Sequence, residues 1–203
     1  MTIEAIMRTA PVIPVLVIDE IAHAVPIAEA LVAGGLCVLE VTLRTPVALD
    51  VIAAMSKVAG AIVGAGTILN IADLDAAMNA GAQFIVSPGL TEPLGRAAIA
   101  SGIPFLPGIA NAGDLMRGFD MGLDRFKFFP AAAAGGLPAL KALAAPFGKA
   151  RFCPTGGISE ATAPQWLAEE SVLCVGGSWV VQKGAPDLAL IRQRAATAAA
   201  LSG

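Results

Sequence analysis

The sequence predicts a single (β/α)8 TIM barrel over residues 1–203, with a short helix ahead of the first strand. Three observations carry that expectation. Short apolar runs alternate with helical patterns eight times along the chain, with no linker or break in composition. The runs are almost continuously apolar, as parallel strands covered by helices on both faces are. Gly34, Gly60, Gly81, Gly102, Gly122 and Gly148 recur at intervals of roughly 20–26 residues, where helix C-caps are expected. A doubly wound open sheet is the alternative arrangement of the same units.

The opening helix is expected at residues 2–9. Strands are expected at 12–18, 36–42, 61–66, 83–87, 103–107, 124–129, 150–155 and 171–176. Helices are expected at 20–33, 46–59, 71–80, 92–101, 112–121, 136–146, 160–169 and 187–200. Thr45, Thr91 and Ser159 offer capping hydroxyls, and Pro46 and Pro93 follow two of them. Asn70, Asn111 and Asp187 can cap other helices.

Composition narrows the class. A chain of 203 residues can bury one full core. With 56% hydrophobic residues and a mean hydropathy of +0.75 it is a folded chain. No apolar run nears the roughly 18 residues needed to cross a bilayer. The mixed N-terminus, Met1–Arg8, lacks the order of a signal peptide, so a cytoplasmic protein is expected. A net charge of −3 without a basic cluster predicts neither nucleic acid nor membrane as a partner. Cys37, Cys153 and Cys174 are odd in number and form no C-x-x-C, which predicts reduced core thiols. His23 is the single histidine and falls in a predicted helix. That argues against a His-based metal site and a Ser-His-Asp triad. No metal and no cofactor are expected.

The chemistry centres on Arg125-Phe126-Lys127-Phe128-Phe129-Pro130. Strand alternation puts Lys127 on the face of Arg125 and Phe129, with Phe126 and Phe128 opposite. An apolar surround disfavours the ammonium form and frees the amine, which can attack a carbonyl and form a Schiff base. A lysine there can also snorkel to the strand end or pair with a buried carboxylate. Glu40 lies inside the apolar run Leu36–Val41, where an isolated carboxylate costs several kcal/mol unless it is paired. It reads as an acid/base or as the ion-pair partner of Lys127 or Arg44, and the two roles are compatible.

The other unusual residues fall at the C-terminal ends of predicted strands, where a barrel builds its active site. Arg44 can grip a carboxylate at two points. Gly64-Ala65-Gly66-Thr67 resembles the start of a dinucleotide fingerprint but has Leu69 in place of the third glycine, which rejects that reading. Thr67 can instead donate a hydrogen bond from the mouth. Thr155-Gly156-Gly157 and Gly176-Gly177-Ser178 follow the last two strands, where glycine-rich turns let backbone N–H groups converge on a phosphate. They also read as two tight turns.

Leu39-Glu40-Val41-Thr42-Leu43-Arg44-Thr45, Ile62-Val63-Gly64-Ala65-Gly66-Thr67, Phe84–Gly89, Phe126–Pro130 and Arg151–Ile158 closely resemble the 2-keto-3-deoxy-6-phosphogluconate (KDPG) aldolases, which also act as 4-hydroxy-2-oxoglutarate (KHG) aldolases. The motifs run in matching order from Val12 to Val180. The resemblance implies a metal-free class I aldolase on a homotrimeric barrel. It would cleave the phosphorylated keto acid to pyruvate and glyceraldehyde 3-phosphate, and 4-hydroxy-2-oxoglutarate to pyruvate and glyoxylate. By the same resemblance Lys127 matches the Schiff-base lysine and Glu40 the acid/base. Arg44 and Thr67 match the pyruvate-carboxylate site, which Pro88 and Phe129 line. Thr155, Gly156, Gly157, Gly177 and Ser178 match the phosphate end. The chain departs from the family pattern at Ile109–Ala112, where hydroxyl residues are common, and at Ala131–Ala134, where a glutamate is common. A phosphate-binding isomerase or synthase is the rival function, and a non-catalytic sugar-phosphate binder a second.

Overall fold

The computed structural model describes residues 1–201. Helix α1 (Ile3–Met7) opens the chain, capped by Thr2, whose hydroxyl accepts from the Ala5 N–H at 3.2 Å. Strand and helix then alternate: β1 (Val12–Leu16), a 3-10 turn (Ile21–His23), α2 (Ala24–Ala33), β2 (Val38–Thr42), α3 (Ala48–Met55), β3 (Ile62–Gly66), α4 (Ile71–Asn79), β4 (Phe84–Val86) and α5 (Glu92–Ser101). The second half holds β5 (Phe105–Leu106), β6 (Gly108–Ile109), α6 (Ala112–Asp120), β7 (Arg125–Phe128), α7 (Gly136–Ala144), β8 (Arg151–Pro154), α8 (Ala163–Leu167), β9 (Val175–Gly177) and α9 (Leu188–Ala199). Every strand pair is parallel.

The closed eight-stranded (β/α)8 TIM barrel expected from the sequence is not what the chain forms. Its strands make a six-stranded half-barrel, ordered β5-β4-β3-β2-β1-β9, and a separate three-stranded sheet, β6-β7-β8. Proline lies at both seams. The fifth expected strand, 103–107, is cut to β5 in one sheet, and beyond Pro107 the chain enters the other sheet as β6, which was not expected. Leu106 C=O accepts from Ser87 N–H on one side, and Pro107 C=O accepts from Lys127 N–H on the other. Proline cannot donate in return, so the ladder does not run through. At the other seam β8 ends on Pro154. Only isolated bridges, Phe152 to Val172 and Thr155 to Gly176, reach across it. Three residue steps on one side oppose four on the other, which is a bulge. The expected strand at 171–176 is accordingly short and late, at Val175–Gly177.

Three of the six expected helix caps form. Asn70, Asn111 and Asp187 accept from the N–H groups of Asp73, Asp114 and Leu190 at 2.9, 3.0 and 3.0 Å. Thr45 does not cap α3; its hydroxyl donates to Ile18 C=O at 2.8 Å and ties two loops at the rim. Thr91 sits at the N-cap of α5 without a side-chain cap bond, and Thr162, not Ser159, holds that place on α8. Among the described residues no helix is long and apolar enough to cross a membrane.

Two apolar layers organise the packing. The outer layer joins the sheets to the helices and includes Val12, Leu16, Leu39, Val63, Ile85, Phe126, Phe128 and Phe152. The inner layer fills the space between the sheets with Ile13, Val38, Phe84, Val86, Leu106, Cys153 and Cys174. Helix α1 closes its floor with Ile6 and Met7, both essentially unexposed. Arg125 reaches down to that floor and donates to Glu4 at 2.7 Å. The hydrogen bond from Arg8, then that from Arg125, holds the Glu4 carboxyl below its ordinary value. All three cysteines are free: Cys153 and Cys174 are buried, whereas Cys37, ahead of β2, is half-buried. Hydrogen bonding to the Cys153 thiol and burial push the Cys174 thiol well above its usual value, which keeps it an inert thiol.

Candidate active site

The site grows from the alternation of β2 and β7. On β7, Phe126 and Phe128 point to the helices, leaving Arg125 and Lys127 to the interior. On β2, Leu39 and Val41 point outward and Val38 inward, so Glu40 shares the interior face. The two charged side chains meet across the two sheets: Lys127 Nζ donates to Glu40 Oε1 at 3.0 Å. Lys127 is 6% exposed and Glu40 3%. Each charge is costly alone in that setting and each is the other's compensation. The Phe129 ring lies over the amine, 5.5 Å from its centroid to Nζ, and adds a second, weaker cation contact.

Gly66 makes the pair possible. A Cβ at that position would overlap the Glu40 carboxylate. The glycines of Gly64-Ala65-Gly66 therefore serve space inside the protein, which sequence reasoning missed; the signal was a small residue facing a buried carboxylate on the neighbouring strand. Gly66→Ala is expected to displace Glu40 and lower kcat about 100-fold with folding retained, since a shift near 1 Å in a catalytic group costs that much. Steady-state kinetics beside circular dichroism checks this.

Thr67, next in the chain, has φ of 61°. A β-branched residue in the left-handed region stores about 1–3 kcal/mol of strain. Its neighbours hold it there: Gly66 C=O accepts from Leu43 N–H at 2.9 Å, and Ile68 N–H donates to Val86 C=O at 3.2 Å. Thr67, Pro88 and Phe129 are half-buried at the rim, and Arg44 is exposed there. Among the described residues the Arg44 guanidinium has no hydrogen-bond or ion-pair partner, so Glu40 pairs with Lys127 alone. An apolar concavity of about 370 Å³ lined by Ile68, Leu69, Pro88, Gly89, Leu90, Thr91 and Leu94 meets this set only at Pro88. Two others of similar size, around Phe147 and around Glu169, contain none of these residues.

The loops after β7 and β8 are tied together. Ala131 and Ala132 donate to the carbonyls of Thr155 and Gly156 at 2.8 and 3.0 Å. The Phe129–Pro130 peptide is cis. Gly156 and Gly157 have φ of 102° and 76°, and a Cβ at Gly156 would touch the Phe129 ring. Thr155 is buried and bridges to Gly176, the residue before Gly177 and the exposed Ser178. The residues predicted for the phosphate end thus adjoin one another across the β8–β9 seam, beside the amine side of the site. Thr42, which the sequence did not single out, is buried on Glu40's face and donates to Leu16 C=O at 2.9 Å, fixing the end of β2.

The family described as "Aldolase: KDPG and KHG aldolase" matches residues 3–194. A 2-dehydro-3-deoxy-phosphogluconate aldolase of Zymomonas mobilis is 62% identical over 198 residues, covering 98% of this chain and 95% of its own. A crystal structure of the Zymomonas mobilis 2-keto-3-deoxy-6-phosphogluconate aldolase with 3-phosphoglycerate superposes with a TM-score of 0.97 at 61% identity, over 98% of this chain and 96% of that one. A Legionella pneumophila KDPG aldolase, with pyruvate captured as a covalent carbinolamine intermediate, gives a TM-score of 0.95 at 44% identity, over 98% and 99% of the two chains. The chain belongs to the KDPG and KHG aldolase family.

Proposed function

We propose that this chain is a metal-independent class I aldolase that reversibly cleaves 2-keto-3-deoxy-6-phosphogluconate to pyruvate and glyceraldehyde 3-phosphate. The observation that carries this reading is the buried Lys127–Glu40 pair, with an amine and an acid/base 3.0 Å apart below an open rim. The pyruvate carbinolamine of the Legionella relative supports the same chemistry here.

In this reading Lys127 Nζ adds to the C2 carbonyl, and the carbinolamine loses water to give an iminium. That cation accepts the electrons released when the C3–C4 bond breaks, so no metal is needed as the sink. Glu40 hands on protons during dehydration, takes the C4 hydroxyl proton during cleavage, and returns a proton to C3 of the enamine. Hydrolysis of the iminium then frees pyruvate and the amine. Arg44 and Thr67 hold the C1 carboxylate, with Pro88 and Phe129 as walls. Thr155, Gly156, Gly157, Gly177 and Ser178 take the phosphate, through N–H groups that the glycines leave uncovered. The 3-phosphoglycerate of the Zymomonas structure is a phosphorylated three-carbon molecule of matching class. The same site accepts 4-hydroxy-2-oxoglutarate, releasing glyoxylate, as a second substrate.

Incubation with pyruvate, borohydride reduction and peptide mass analysis test the central step. A pyruvate-derived adduct on the Lys127 peptide is expected. A folded protein that takes up no adduct would move the weight to a phosphate-binding isomerase or synthase. Arg44→Ala is expected to raise KM for the keto acid roughly 10–100-fold with a smaller change in kcat, because one charge-assisted grip of about 1.5–3 kcal/mol is lost; initial rates against substrate concentration check it.

The reading extends to a single domain over residues 1–203, a homotrimer, and a cytoplasmic location. One unfolding transition, a trimer mass in sedimentation, and recovery in the soluble cell fraction are the expected results, and a monodisperse monomer would remove the trimer.

A further inference from the structure

We propose that Val15 determines which keto acid serves as the donor, by closing the space into which a substituent on C3 would have to go. The inference rests on the Schiff-base reading above. Strand β1 is buried along its length except at Val15. Val12 and Leu16 belong to the outer apolar layer and Ile13 to the inner one, so alternation turns Val15 to the interior. Yet Val15 packs with neither layer and is half-buried. An apolar side chain that faces inward from a strand paired on both sides, and is still only half-buried, borders open space beside Glu40.

Register fixes where it stands. Glu40 pairs with Val15 on one side and with Gly64 on the other. Partners in a parallel ladder project to the same face, so Val15 and Gly64 flank the Glu40 side chain directly. The Gly64 flank is shut: the fully buried Phe84 ring occupies the place a Cβ would take. Val15 is the flank that opens. In the half-reaction Lys127 Nζ adds to C2, water leaves, and one C3 proton passes to the base while its electron pair becomes the enamine double bond. That C3 must lie within reach of the Glu40 carboxyl, which is itself held 3.0 Å from Nζ. Pyruvate presents a methyl there, and the Val15 methyl groups are its neighbours. A donor carrying one more carbon on C3, 2-oxobutanoate, meets Val15.

Proton–deuterium exchange at C3, followed by NMR in D2O without any aldehyde, isolates this step. Wild-type protein is expected to exchange pyruvate and to discriminate against 2-oxobutanoate. Val15→Ala is expected to raise the 2-oxobutanoate-to-pyruvate ratio of kcat/KM about tenfold or more, the worth of one methylene against an apolar wall. Val15→Ile is expected to lower that ratio below wild type. A Val15→Ala protein that still traps pyruvate with borohydride but keeps the wild-type ratio within about twofold overturns the proposal. So does a Val15→Ile protein whose ratio does not fall, which keeps the test decisive if the alanine variant does not fold. Failure of the wild type to trap or exchange pyruvate would overturn the Schiff-base reading itself, and is a different result from an unchanged ratio.

Discussion

Lys127→Ala is expected to end aldol turnover, with kcat/KM falling by about 10⁴ or more, as happens when the nucleophile of a covalent mechanism is removed. Borohydride should then fix no pyruvate on the chain. The same change carries a structural cost. Glu40 is 3% exposed and its only hydrogen-bond partner among the described residues is Lys127. Breaking a buried pair from one side costs about 3–5 kcal/mol, because the remaining charge stays buried without compensation. Loss of activity in the alanine variant therefore needs a companion. Lys127→Arg keeps a cation against Glu40, but its guanidinium does not lose a proton and forms no imine. The arginine variant is expected to fold, melt closer to wild type than the alanine variant, and remain inactive. Wild-type cleavage by either variant would remove Lys127 from the mechanism.

Much of this site was legible because few physical reasons put a charged residue inside an apolar strand. Lys127 among three phenylalanines, and Glu40 inside Leu36–Val41, each stood out before any contact was visible, and an ion pair between them was one of the readings they allowed. Strand alternation also set Lys127 opposite Phe126 and Phe128, and the contacts of those two rings with the outer layer agree. The closure of the sheet was harder to read. The run Ile103–Pro107 looks like one whole strand by composition, and only hydrogen bonding reveals that the chain changes sheet at Pro107 and continues as a further strand, Gly108–Ile109. Likewise the one-residue bulge between β8 and β9 leaves no mark in hydropathy, since both sides remain apolar. The role of Gly66 was hidden for a related reason. A glycine reads as turn freedom, whereas here its use is an absent side chain, and that depends on a carboxylate 26 positions away in sequence, from Glu40 to Gly66. Thr45 shows local grammar giving way to tertiary need, its hydroxyl drawn from a cap to the Ile18 carbonyl.

Glu40→Gln separates the two things that carboxylate does. The amide keeps its shape beside Gly66 and can still accept a hydrogen bond from Lys127, so folding should survive better than with alanine. It cannot exchange protons. Every step that moves a proton onto or off the substrate should slow, and general acid–base catalysis of this kind is worth about 10²–10⁴ in rate. Cleavage is therefore expected to fall by that factor, and C3 deuterium exchange with it. Nucleophilic addition differs, because the amine itself is untouched and has lost its counter-ion. Pyruvate should still add to Lys127 and accumulate as the covalent adduct, which dehydrates and hydrolyses slowly. Until water leaves, that adduct is the carbinolamine, and borohydride reduces only the iminium, so rapid-quench trapping would then show a smaller trapped fraction at steady state than wild type, alongside slower turnover. If the glutamine variant turned over at the wild-type rate, Glu40 would be only the structural partner of the lysine, and the proton carrier would have to be sought among other groups at the rim.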